Sequence, residues 1–177
     1  MKMVKQSMSK VQIKLIICIA LLCCGAAVAQ EADVEAAVAV SIEQSQDIWA
    51  GQQVTVNLDL KTTGFSFANT HFNLPDVSGA FLMQTDTTTI KLSEKKDGRD
   101  WQILRYPLAL YPQQSGQLEL PPIKVRFITS AAYGAEEKSF EFITEPLELS
   151  IGLPPGVKQG DLVVTTADFQ LSHSWQP

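Results

Sequence analysis

Gln52-Gln53-Val54-Thr55-Val56-Asn57-Leu58-Asp59-Leu60 sends Val54, Val56, Leu58 and Leu60 to one side of an extended chain and Gln53, Thr55, Asn57 and Asp59 to the other. Period two is the signature of a half-buried β-strand, because successive side chains leave a pleated backbone on opposite faces. Upstream, Val38, Val40 and Ile42 repeat the alternation, and Ile48-Trp49-Ala50-Gly51 reads as the turn of a first hairpin.

Downstream, residues 87–92 and 101–110 flank a polar stretch whose Asp97-Gly98 step suits the positive backbone dihedrals of a hairpin turn. This is the expected central hairpin. Tyr106, Leu108 and Leu110 share one face of its second strand, and Pro107, which has no amide donor, assigns that stretch to an edge or a bulge. Thr70-His71-Phe72-Asn73-Leu74 reads as a strand with His71 on the polar side. Ile123, Val125 and Phe127, then Phe140 and Phe142, then Leu147, Leu149 and Ile151 continue the alternation. Six to eight short strands are expected, and no window carries a sustained apolar repeat at helical spacing, which excludes a parallel α/β fold. The pattern predicts an all-β, immunoglobulin-like β-sandwich over residues 37–152; a closed barrel shares the periodicity but fits the short strands and frequent turns less well.

At the start of the chain, Lys2, Lys5, Lys10 and Lys14 precede an apolar run from Leu15 to Cys24 that relaxes into Gly25-Ala26-Ala27-Val28-Ala29-Gln30. This basic, apolar, small-residue order predicts a secretory signal peptide over residues 1–29, cleaved between Ala29 and Gln30, and hence an exported, periplasmic product. The apolar run is shorter than the roughly 20 residues a membrane span needs. An uncleaved anchor and a lipoprotein processed at Cys23 or Cys24 are the competing readings.

Cleavage would change the chemistry of what remains. Cys18, Cys23 and Cys24 are the only cysteines and all leave with the leader, so disulfides, thiol catalysis and cysteine-held zinc are excluded from the mature chain. Fourteen basic residues become ten against nineteen acids, a net charge of about −9, which excludes nucleic acid as a partner. Residues 30–36 read as an acidic spacer.

Gly152-Leu153-Pro154-Pro155-Gly156 breaks the strand pattern, so residues 153–160 are expected to form a linker. Strand-like alternation resumes at Leu162 to Thr166 and Phe169 to Leu171, and residues 161–177 are expected to be the start of an incomplete second β domain.

Reactive groups are sparse. His71 and His173 are the only histidines, no Gly-x-Ser-x-Gly elbow occurs, and no His-x-His, His-Glu-x-x-His or calcium-loop spacing is present. No catalytic residue, metal or cofactor is therefore expected. Asp59, Glu119, Glu141 and Glu148 fall on the outward phase of strands, and Glu94, Asp97, Glu136 and Glu137 read as solvated turn charges. Trp49, Trp101 and Trp175 leave open a carbohydrate-binding platform as an alternative to edge or core packing.

The most distinctive stretch is Tyr111-Pro112-Gln113-Gln114-Ser115-Gly116 followed by Leu118-Glu119-Leu120-Pro121-Pro122-Ile123-Lys124-Val125. Pro112 and Gly116 suit a reversal, and Pro121-Pro122 removes two backbone donors where a chain could leave one sheet for another. This stretch resembles the BatD, or oxygen-tolerance, family of exported bacterial proteins, whose pattern is an apolar strand, a Pro-x-x-x-Gly turn and a Pro-Pro-Ile-x-Val strand. Trp49-Ala50-Gly51-Gln52, Leu74-Pro75-Asp76-Val77-Ser78-Gly79 and the segment from Asp168 to Trp175 resemble further parts of that pattern, with Gln52 where an acid is usual. The resemblance implies tandem immunoglobulin-like domains in the periplasm and no catalytic residues. It also implies envelope partners carrying von Willebrand A domains, a MoxR-type ATPase system, and a membrane anchor in the full-length family that this chain lacks.

Overall fold

A computed structural model describes residues 33–43, 47–86, 88–158, 160, 161 and 163–165. The expected signal peptide with its cleavage point at Ala29 and Gln30, Leu162, and residues 166–177 with the expected strand from Phe169 to Leu171, His173 and Trp175 lie outside the described residues. Among the described residues there are eleven strands: β1 (Ala36–Ile42), β2 (Ile48–Trp49), β3 (Val54–Thr62), β4 (Ala68–Asn73), β5 (Ala80–Gln84), β6 (Ile90–Lys96), β7 (Arg99–Pro112), β8 (Gly116–Leu120), β9 (Lys124–Ser130), β10 (Glu137–Ile143) and β11 (Leu147–Gly152). The protein is an all-β sandwich.

One sheet runs β1-β3-β7-β5, with β6 also paired to β7, and a second runs β10-β9-β4. In chain order this places strands one, two, five and four of an immunoglobulin domain against strands seven, six and three. The strand decoded from Val54 to Leu60 is central to the first sheet, and its alternating set Val54, Val56, Leu58 and Leu60 is wholly buried. Leu108 and Leu110 of β7 and Phe127 of β9 complete the middle of the same core. Full burial of each such side chain is worth roughly 1.5–3 kcal/mol. Phe72 on β4 meets Tyr106 on β7 edge to face, 5.0 Å between ring centroids, which ties the two sheets across the core. Phe127, Phe140 and Phe142 stack along the second sheet.

The first pair of strands forms as expected, Ala36 opposite Thr62 through Ile42 opposite Val56. Its connection is a correction: Ile48 and Trp49 are not turn but a short strand, running parallel to β11 with Ile48 opposite Ile151. β2, β11 and β8 form a third small sheet. Trp49 lies over Gly152, where an added Cβ would come within 2.9 Å of the indole, so only glycine admits the ring. Short strands of this kind carry too few residues to show a period, which is why eleven strands replace the six to eight expected.

The central hairpin closes on Asp97 (φ 53°) and Gly98 (φ 76°), the paired positive dihedrals of a type I′ turn. Pro107 is a second correction. It lies on β7, a central strand, opposite Asn57 of β3. On its other flank β5 pairs with β7 from Leu108 onward and β6 pairs as far as Arg105, so Pro107 faces the break between them. Its carbonyl points there too, accepting from Thr85 Oγ1 at 3.0 Å. The missing amide thus interrupts no ladder.

β7 ends at Pro112 and β8 begins at Gly116 (φ 119°), where the chain passes from the first sheet to the third. After β8, Pro121 and Pro122 precede the passage to β9, and the next donor, the Ile123 amide, bonds to Thr144 Oγ1 at 2.9 Å. Thr144 returns its own amide to the Ile123 carbonyl at 3.0 Å. Residues 33–35 are held as well: Asp33 pairs with Lys138 at 3.5 Å, Glu35 pairs with Arg99, and Val34 between them is buried. Near the other end, Thr165 donates to the carbonyls of Gly51 and Ala50.

Candidate functional site

Two outward faces carry the groups that can recognise something, and each follows from strand phase. On the first sheet the residues of β7 that avoid the core are Trp101, Ile103, Arg105, Pro107, Ala109 and Tyr111. Beside them, on the strands that flank β7, stand Leu92 next to Ile103, Ile90 next to Arg105, Met83 next to Ala109 and Phe81 next to Tyr111. Phe81, Met83, Ile90 and Leu92 are 62, 48, 43 and 38% exposed. Four large apolar side chains therefore form a line beside Ile103 to Tyr111 of β7, about 27 Å at the strand rise. Exposed apolar side chains are ordinary when scattered; in a line on one face they mark a surface that gains by being covered.

Behind that line the charges are neutralised. Arg105 donates from Nε and Nη2 to the two carboxylate oxygens of Asp59, at 2.7 and 2.8 Å. The Asp59 side chain is only 8% exposed and that of Arg105 30%. Hydrogen bonding to Asp59 raises the guanidinium pKa above its ordinary value, while burial pulls it down. Lys61 holds Glu94 at 3.1 Å. Asp59 is not the solvated charge that strand phase suggests, whereas Glu94 pairs with Lys61 while its side chain stays 40% exposed. Asp59 does lie on the outward phase, but its neighbours on that face are Ala39 and Arg105. Little water is left to it.

The second sheet presents a different outward face. Lys124 and Arg126 project from its central strand, β9, with Ile143 and Glu141 opposite on β10 and Asn73 and His71 opposite on β4. These six line a concavity of about 510 Å3. His71 reaches it through a bulge: Ala68 pairs with Ile128 and His71 with Arg126, three steps of β4 against two of β9. Asn69, at φ 46°, absorbs the extra residue in the left-handed region that asparagine tolerates better than most side chains. Without the bulge Thr70 would stand beside Arg126.

Among the described residues, those singled out by their chemistry do not meet one another. Trp49 packs on Gly152 in the third sheet, and Trp101 lies half-buried on the first, opposite Glu94. The loop between Pro112 and Gly116 lines a separate concavity of about 460 Å3 with Ala50, Leu153 and Val163. Pro121 and Pro122 sit between β8 and β9. Among the described residues no three His, Cys, Asp or Glu side chains cluster as metal ligands do, and no helix is long and apolar enough to cross a membrane. The apolar line on β5 and β6 escapes the sequence reading, because Phe81 and Met83 alternate over only five residues and Ile90 and Leu92 precede a charged turn.

No protein-family model matches the chain, and no curated protein matches it.

Proposed function

We propose that this chain is a non-enzymatic interaction module of the cell envelope, exported to the periplasm, that binds another protein through the outward face of its first sheet. The observation that carries this reading is the line of Phe81, Met83, Ile90 and Leu92, exposed on one face beside β7. Such a line suits the apolar centre of a protein interface, with Glu94 and Lys96 following Ile90 and Leu92 on the same face of β6 as its charged rim. The basic, apolar and small-residue order of residues 1–29 supports export. The motifs around Pro112, Gly116, Pro121 and Pro122 support a place in the BatD family, with von Willebrand A domain proteins and a MoxR-type system as partners and a link to oxygen or stress tolerance.

The test is retention of envelope proteins by the immobilised chain, compared with Phe81→Ser and Met83→Lys variants. A protein partner retained by the parent chain and lost from both variants is the expected outcome. Retention that survives both substitutions removes the face from the reading. Recovery of no protein, together with specific retention on a glycan array, would replace it with the carbohydrate-binding alternative.

A further inference from the structure

The concavity on the second sheet has no part in the apolar line, and the two cations that project into it from β9 form no ion pair among the described residues. The ion pairs among the described residues engage Lys61, Arg99, Arg105 and Lys138. None engages Lys124 or Arg126, although Glu141 stands directly opposite Arg126 in the ladder. Arg126 thus keeps the planar fork that suits a carboxylate, next to His71, an additional ring donor. Lys124 lies two residues along the same strand face, roughly 7 Å away at the strand rise. Ile143, 67% exposed, provides an apolar wall beside Lys124.

We propose that this concavity binds an extended acidic segment of a partner protein, two carboxylates spaced by one residue meeting Arg126 and Lys124. The spacing carries the assignment. In an extended peptide, residues i and i+2 point the same way and repeat at the same roughly 7 Å as the two cations. A single small anion would have to draw both long side chains together, whereas two carboxylates at this spacing meet them where the strand sets them. Glu141 acts against the ligand by like charge, and the apolar wall at Ile143 accepts the side chain of a flanking residue. The inference rests on the interaction-module reading only in taking the ligand to be a protein, and it concerns the opposite sheet.

The experiment is a backbone-amide NMR titration of the full chain with a capped heptapeptide alternating Glu and Val, with the Gln and Val heptapeptide and inorganic phosphate as comparison probes. Expected are saturable shifts on β4, β9 and β10 with the Glu peptide and none with the Gln peptide. Arg126→Gln should weaken binding about tenfold, the loss of one charge-assisted contact. Lys124→Gln should weaken it less, and Glu141→Gln should tighten it about threefold by removing a like charge. Equal response to the Gln peptide, undiminished affinity in both the Arg126 and Lys124 variants, or phosphate binding as tightly at the same residues would each overturn the proposal. Phe81→Ser should leave peptide binding unchanged, so loss of envelope partners through the first sheet and loss of peptide binding through the second are read separately.

Discussion

Arg105 and Arg126 occupy equivalent places. Each projects outward from a strand with neighbours on both sides, and each has an acid directly opposite across the ladder, Asp59 for Arg105 and Glu141 for Arg126. Only Arg105 closes on its partner, with two hydrogen bonds. The difference lies in what surrounds them. Arg105 has Ile90 on its other flank and Asp59 has Ala39, so water is scarce and the two charges must satisfy one another. Arg126 has His71 on its other flank and Lys124 along the strand, and its site is open. Opposition across a ladder makes an ion pair available, while desolvation decides whether it forms. One outward face has thereby become apolar with its charges cancelled, and the other polar with its charges free.

Removing each arginine in turn separates the two sites most directly. Arg105→Ala leaves the Asp59 carboxylate buried without compensation and should cost about 3 kcal/mol in denaturant unfolding. Arg126→Ala should change stability by less than about 0.5 kcal/mol. Equal costs would show that the two sites do not differ as described.

A second substitution sharpens the picture of what joins the two faces. Thr62 Oγ1 on β3 accepts from the Gly64 amide and lies 3.4 Å from Thr129 Oγ1 on β9, a buried polar tie between the sheets. A Cβ on Gly64 would strike Thr129 Oγ1 and come within 2.7 Å of the Ser130 carbonyl. Gly64→Ala should therefore destabilise by about 2 kcal/mol and raise hydrogen exchange on β3 and β9 together. Exchange raised on one strand alone would mean that the sheets are not clamped there.

Thr144→Val tests the second sheet's own frame. It removes the acceptor of the Ile123 amide just after two prolines and should cost about 1 kcal/mol or slightly more, read as a shift in thermal midpoint. The peptide site next to it should survive. The smallest effect belongs to the apolar line: Phe81→Ser, at a side chain already largely in solvent, should move stability by less than about 0.5 kcal/mol while abolishing partner retention. A large loss of stability would identify Phe81 as a core residue instead of a binding one.

Much of the fold was legible because burial on one side of a sheet writes period two directly into the chain. Val54 to Leu60 declared both their strand and their buried side, and Asp97-Gly98 declared its turn. The candidate site was far less legible. Lys124, Arg126, Glu141 and His71 each showed an outward phase in their own strands, but nothing local names the strand that will lie alongside. Ladder pairing is set by contacts between residues far apart in the chain, and β1 skips the short β2 to join β3 for that reason.

Sequence by itself determined the strand class, the inward set, the hairpin turn and, should the leader be cleaved, a thiol-free acidic product. Only the tertiary structure decided that Asp59 is buried and paired, that Pro107 on a central strand faces the break between β5 and β6, and that one extra residue at Asn69 brings His71 to Arg126. The physical reason is that alternation assigns a face to each side chain, whereas register, bulges and desolvation assign its neighbours.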